Sequence, residues 1–245
     1  MPGTALITGA GRRIGRAMAQ DLASRGWAIG VHYHQSADDA HSLVEAILND
    51  GGKAVALAAD LADEGAVETL IPQCNADLGT TSLLINNASL FENDGLASAT
   101  ASSWSAHMAV NLRAPLVLIQ GLMAGLGADG TGNIINMLDQ RVWNLSADFL
   151  SYTTSKAGLW TLTQTLALAC APRVRVNGIG PGPALPSKRQ SQAQFDETSA
   201  RLPLGRGTTP DEICTAVRFI LDSPAMTGQM IALDGGEHLK STPAF

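Results

Sequence analysis

Cysteine is scarce. The 245 residues contain three, Cys74, Cys170 and Cys214, set far apart. An odd number so spaced gives no disulfide framework, and no CxxC or Cys/His spacing suits a metal. The expectation is three buried or part-buried thiols in a reducing compartment, with no metal site. Aromatic residues are also few, 4% of the chain, with two Tyr and five Phe, so one standing in a polar segment is notable. Lys and Arg form no blocks and the net charge is −6. That excludes an extended nucleic-acid surface but leaves room for one small anion site. No apolar run approaches the roughly 20 residues of a membrane span, and the first residues show no basic stretch followed by an apolar core. A cytoplasmic protein with no membrane or nucleic-acid partner is expected. Internal repeats, low-complexity tracts and Pro/Ser linkers are lacking as well.

What is present is a regular alternation. Hydrophobic residues make up 45% and charged residues 16%, enough for one sizeable core. Short apolar segments at 4–8, 28–33, 53–58, 83–86, 133–137, 173–177 and 230–233 read as strands. Helical stretches separate them at 13–24, 37–49, 64–74, 102–126, 151–169 and 211–221. Such βαβ units predict an α/β fold: a single-domain, Rossmann-like, doubly wound parallel sheet of about seven strands with helices on both faces, covering 1–245. Sheets of this kind bind ligands beyond the carboxyl ends of their strands. The polar, proline-flanked segment 183–204 is expected to be a loop covering a small-molecule substrate.

Thr8-Gly9-Ala10-Gly11-Arg12-Arg13-Ile14-Gly15 follows the first strand and opens the first helix. Glycines there let the backbone approach a pyrophosphate at a helix N-terminus. An acid that would bond a ribose 2′-hydroxyl is missing at the end of the second strand, where His34, Gln35 and Ser36 stand instead. These can donate to a 2′-phosphate, and Arg12 or Arg13 can add charge, so NADPH is the expected cofactor. Tyr152 and Lys156 form a Y-x-x-x-K pair whose i and i+4 spacing puts both heads on one helical face. A tyrosine acts as an acid near neutrality only if its pKa falls by roughly 3 units, about 4 kcal/mol, and the Lys156 ammonium is the expected source. Asp139 lies at the end of the fifth strand, thirteen residues before Tyr152. In a dry pocket its carboxyl should become a proton carrier, which suits a C=N bond whose nitrogen gains a proton as carbon gains hydride.

In order and spacing these elements resemble the short-chain dehydrogenase/reductase family over nearly the whole chain, down to Leu233-Asp234-Gly235-Gly236. The T-G-x-x-x-R-x-G turn, the N-N-A-S-x-F segment at Asn86–Phe91 and the aspartate at 139 resemble its pteridine reductase branch. The resemblance implies that Asp60 and Leu61 contact adenine. It also implies that Asn87, Ala88, Ser89, Pro181 and Gly182 line the cofactor. Asn111 would be the fourth catalytic residue, supporting a water relay. Phe91 would stack on a pterin ring, with Arg13 and Ser89 on its polar edge. Gln35 stands where that branch carries arginine. A homotetramer is implied too. Reduction of a pterin or dihydrofolate is thus expected. A generic reductase of a carbonyl or alcohol, such as a 3-oxoacyl thioester or sugar, and a non-catalytic NADPH-binding regulator stay as alternatives; the intact Tyr152/Lys156 pair speaks against the latter.

Overall fold

Seven short strands pair in the order β3-β2-β1-β4-β5-β6-β7, all parallel. They are β1 (Thr4–Ile7), β2 (Ala28–Tyr33), β3 (Lys53–Ala58), β4 (Thr81–Asn86), β5 (Gly132–Met137), β6 (Val174–Pro181) and β7 (Met230–Leu233). The computed structural model describes residues 2–187 and 190–240, so two residues of the 183–204 segment and the last five of the chain lie outside it. The helices are α1 (Arg13–Ser24), α2 (Ala37–Asn49), α3 (Glu64–Leu78), α4 (Ala101–Met108), α5 (Ala114–Gly125), α6 (Leu150–Ala169), α7 (Gln192–Ala200) and α8 (Pro210–Leu221). This is the single-domain, doubly wound α/β sheet that the alternation predicts.

Neighbouring strand residues serve opposite layers. Ala5, Ile7, Ile29, Val31, Leu83, Ile85 and Ile135 share one core with Met18 and Leu22 of α1 and Ile213 and Val217 of α8. Leu6, Leu84, Ile134 and Val176 share the other with Leu70 and Cys74 of α3 and Leu118 and Leu122 of α5. Burial on both faces is why the strands read as continuous apolar runs rather than alternating ones. Strand order reverses between β1 and β4, and the crevice beyond their carboxyl ends is where such a sheet takes a ligand.

Three departures from the sequence reading matter. β6 runs on to Pro181, because its glycines allow close packing: a Cβ on Gly180 would lie 2.9 Å from the Met230 sulfur of β7. The 102–126 stretch is α4, a π-helical segment Ala109–Arg113 and α5 in succession. Together they form a helical run of 25 residues, long and apolar enough to cross a membrane by length and composition. That corrects the expectation that no stretch reaches such a length; the apolarity serves packing, since Val117, Leu118, Ile119 and Leu122 are buried in the second core. Finally, the 183–204 segment contains a helix, α7, started by a capping box of Ser191 and Gln194. Its polar sequence, with Ser199 as the one buried residue, has no apolar stripe to betray it.

Candidate active site

The turn after β1 is braced from three strands. The Thr8 hydroxyl accepts from the amides of Asn87 and Ala88, at 2.9 Å each, and the Asn87 side chain donates to Thr8 O at 2.8 Å. A Cβ on Gly15 would collide with the Gly9 carbonyl oxygen and lie 2.9 Å from Ala10 Cα, so only glycine lets α1 begin this close to the turn. Arg12 at the N-cap of α1 gives no side-chain cap, and no acid stands in the first turn. The N–H groups there suit an anionic ligand, and Ile14 packs against the first core beneath them. His32 completes the brace: its Nδ1 accepts from Gly9 N at 3.0 Å and its Nε2 donates to Ala59 O at 3.1 Å. Burial pushes its pKa down to about 4, against the pull of Ala59 and with help from His34. His32 was missed by the sequence reading, though a histidine inside an apolar strand was a visible signal.

Beside the turn, Ser36 at the N-cap of α2 makes no cap bond of its own, and its hydroxyl faces Gly11. Gln35 and His34 are exposed next to it. His34 Nε2 stands 3.7 Å from the Asp60 carboxylate. Asp60 also accepts from Ala62 N at 2.9 Å, and Leu61 is buried in the second core. Arg12 is ion-paired with Asp39, so its charge is balanced within the protein. Arg13, with a left-handed φ of 54°, donates to Pro186 O at 2.7 Å and Leu185 O at 3.3 Å, binding the turn to the segment after β6. At the end of β6, Gly182 N donates to Leu233 O at 2.9 Å, setting Pro181 and Gly182 at the rim.

The proton-handling groups converge. The Tyr152 hydroxyl donates to Asp139 Oδ2 at 2.7 Å, while Arg141 N donates to Asp139 Oδ1 at 2.9 Å. The carboxylate is thus turned inward. Lys156, fully buried, donates from Nζ to Met137 O at 2.6 Å. Burial first, then the Asp139 charge and hydrogen bond, push the Tyr152 phenol well above its ordinary pKa. Burial takes Lys156 down to about 8, against the pull of Asp139. The expected depression of Tyr152 by Lys156 is therefore corrected: the ammonium sits 5.9 Å from the phenol ring centroid and bonds a carbonyl, and the nearest charge to the hydroxyl is negative.

Asn111 lies in the π segment and is buried. Its Oδ1 accepts from Leu90 N at 2.8 Å and Ser89 Oγ at 3.2 Å; its Nδ2 donates to Leu90 O at 2.9 Å and Ser155 Oγ at 3.0 Å. All four positions of the amide are filled by protein. Asn111 thus ties the loop after β4 to α6 through its side chain.

Phe91 is 39% exposed, so it is not a core anchor. Its ring stands edge-on to Tyr152 with centroids 4.7 Å apart, and stacks in parallel on Phe149 at 4.6 Å. The Arg141 guanidinium lies 4.9 Å from the Phe149 centroid. The site wall is therefore two stacked rings rather than the single one expected. Phe149 could not be read from sequence, because its left-handed backbone (φ 60°, ψ 44°) carries no pattern.

A family model described as Enoyl-(Acyl carrier protein) reductase matches residues 9–238. The crystal structure of FolM alternative dihydrofolate reductase 1 from Brucella canis, complexed with NADP, superimposes with a TM-score of 0.95 at 43% identity, covering 98% of this chain and 96% of that one. A short chain dehydrogenase from Burkholderia cenocepacia J2315, in complex with NADP, gives 0.88 at 30% identity over 96% and 97%. In sequence, 3-oxoacyl-[acyl-carrier-protein] reductase from Synechocystis is 30% identical over 236 residues, 95% of each chain. With that coverage, the chain belongs to the short-chain dehydrogenase/reductase family.

Proposed function

We propose that this protein is an NADPH-dependent reductase of a pterin or dihydrofolate-type ring. The observation that carries the reading is the 2.7 Å hydrogen bond from Tyr152 to the Asp139 carboxylate, set beside the partly exposed ring of Phe91. NADPH, when bound, supplies the hydride. The chain's own residues do the rest. The uncapped start of α1 and the Gly9–Gly15 backbone hold the pyrophosphate, and Ser36, Gln35 and His34 meet the 2′-phosphate. Phe91 lies against one face of a flat heterocycle and excludes water from it. Tyr152 holds its proton firmly, as its raised pKa requires, and gives it up to a ring nitrogen whose basicity grows as the adjacent carbon is reduced. Once Tyr152 has given up its proton, the half-buried Asp139 carboxylate takes one from water at the site mouth and passes it to the phenolate, restoring the donor. Arg13 keeps the covering segment in place through Leu185 and Pro186. The similarity to the Brucella FolM structure supports this choice of ring.

A second reading has its own support. The Synechocystis relative and the family description both name acyl-carrier-protein chemistry, which would make the substrate a 3-oxoacyl thioester and Asp139 incidental. The two separate in one assay. Purified protein is expected to oxidise NADPH with dihydrobiopterin or dihydrofolate; turnover confined to 3-oxoacyl thioesters or simple ketones overturns the pterin assignment.

A further inference from the structure

A helix begins with N–H groups that no residue within it can accept, and a Ser, Thr, Asp or Asn at the N-cap ordinarily serves them. Helix α6 departs from this. Its N-cap is Phe149, which has no such side chain. The partners come from the loop after β4, more than fifty residues earlier. Phe149 N donates to Asn93 Oδ1 at 3.0 Å and Leu150 N to Asp94 O at 2.9 Å. Ser151 N donates to Asp94 Oδ1 at 2.9 Å and the Ser151 hydroxyl to Asp94 Oδ2 at 2.6 Å. Asp94 is 5% exposed and also accepts from Ser103 Oγ of α4 at 2.8 Å. Burial opposes its charge, but these donors outweigh it and hold its pKa below the ordinary value.

The reason for a borrowed cap lies in what stands at position 149. The ring of Phe149 is wedged between Phe91 and the Arg141 guanidinium, in a left-handed conformation that bulky residues rarely adopt. An aromatic is used in the place where a capping side chain would go, so the capping is done from elsewhere. Tyr152 is the next residue after Ser151, and the loop that caps it also carries Phe91.

We propose that Asp94 is a positioning residue of the reaction: by capping α6 from the loop after β4, it fixes the Tyr152 hydroxyl against both Asp139 and Phe91. This rests on Tyr152 as proton donor and not on which ring receives the proton. Displacement of a reacting group by about 1 Å costs on the order of a hundredfold in rate.

The test compares Asp94→Ala and Asp94→Asn with wild type in the NADPH-saturated enzyme. Asp94→Ala is expected to lower kcat by roughly ten- to a hundredfold, with substrate KM and NADPH affinity little changed and with faster amide exchange at residues 150–152. Asp94→Asn keeps an oxygen for Ser151 N, and the two serine hydroxyls can turn to accept from its amide, so it should recover most of the rate. An Asp94→Ala enzyme with lowered thermal stability but wild-type kcat overturns the proposal, as does equal loss in both variants. If Asp94→Ala does not fold, Ser151→Ala, which removes one hydroxyl contact, carries the same kcat-against-KM and exchange readouts. If wild type reduces no pterin, the substrate assignment fails alone. The variants are then compared on a 3-oxoacyl thioester, and the exchange arm reads the cap without any turnover.

Discussion

Tyr152 points its proton at a carboxylate, and that single contact decides its chemistry. Near neutrality the phenol is fully loaded, held so by burial and by Asp139 rather than drained by Lys156. Tyr152→Phe should then abolish turnover while sparing NADPH affinity, since the Gly9–Gly15 turn does not touch the phenol; full activity in this variant removes the donor role. Asp139→Ser should lose roughly a hundredfold in kcat on a pterin, and a wild-type rate would leave the carboxyl without a part. His32 allows a different check, on stability. Its folded pKa of about 4 lies below the unfolded 6.5, so between these values the unfolded chain binds more protons. Stability contributed by His32 is therefore complete above the unfolded pKa and is lost as pH falls toward 4. The shift is worth about 3 kcal/mol. Denaturant unfolding should show wild type losing about that much more than His32→Asn on going from neutral pH to about pH 4, because the carboxylates titrate alike in both.

At the scale of the element, the π segment Ala109–Arg113 turns Asn111 toward both the loop after β4 and α6. Removing the amide strands Leu90 N and takes one of two partners from Leu90 O and Ser155 Oγ, which keep Ser89 Oγ and Tyr152 O. Asn111→Ala should cost roughly 3 kcal/mol of stability and lower kcat through the loosened Ser89–Phe91 loop; a variant with native stability would show that water replaces the amide. The elements differ in how openly the sequence announces them. Strands such as Leu83–Asn86 and the helix carrying Tyr152 and Lys156 are legible, because burial on both faces and the i, i+4 spacing write themselves into residue type. Helix α7 is not, since its buried residue is Ser199 and the half-buried Phe195 alone makes no apolar stripe. The extension of β6 through Gly178 and Gly180 is hidden for the opposite reason: residues chosen for close approach to a neighbouring strand look like turn residues when the neighbour is unseen. Tyr152, Asp139 and Phe91 are legible as residue types in a motif, and the structure brings their side chains together; Asp94 and Phe149 act through long-range contacts that have no local signature, and His32 shows only as a histidine inside an apolar strand.

For the molecule as a whole, the strand order reverses at the β1/β4 boundary, and the residues assigned to the cofactor follow strands on both sides of it. Gly9 and Ser36 come from one half, Asn87, Lys156 and Pro181 from the other, so a dinucleotide spanning the crevice would be anchored by both halves of the sheet at once. A ligand that binds only the folded chain adds RT ln(1 + [L]/Kd) to its stability, about 2.7 kcal/mol at a hundredfold excess over Kd. For a domain of this size that raises the melting temperature by roughly 5–10 °C. NADPH should produce such a shift. NADH at the same concentration should produce a smaller one, because Ser36, Gln35 and His34 present hydrogen-bond donors where a 2′-hydroxyl would want a carboxylate. The charge of Arg12 does not settle the matter, being matched by Asp39. Equal shifts with the two nucleotides would mean that these three side chains do not select the phosphate. Ser36→Asp should invert the order, since a carboxylate facing Gly11 repels the phosphate and accepts from the hydroxyl.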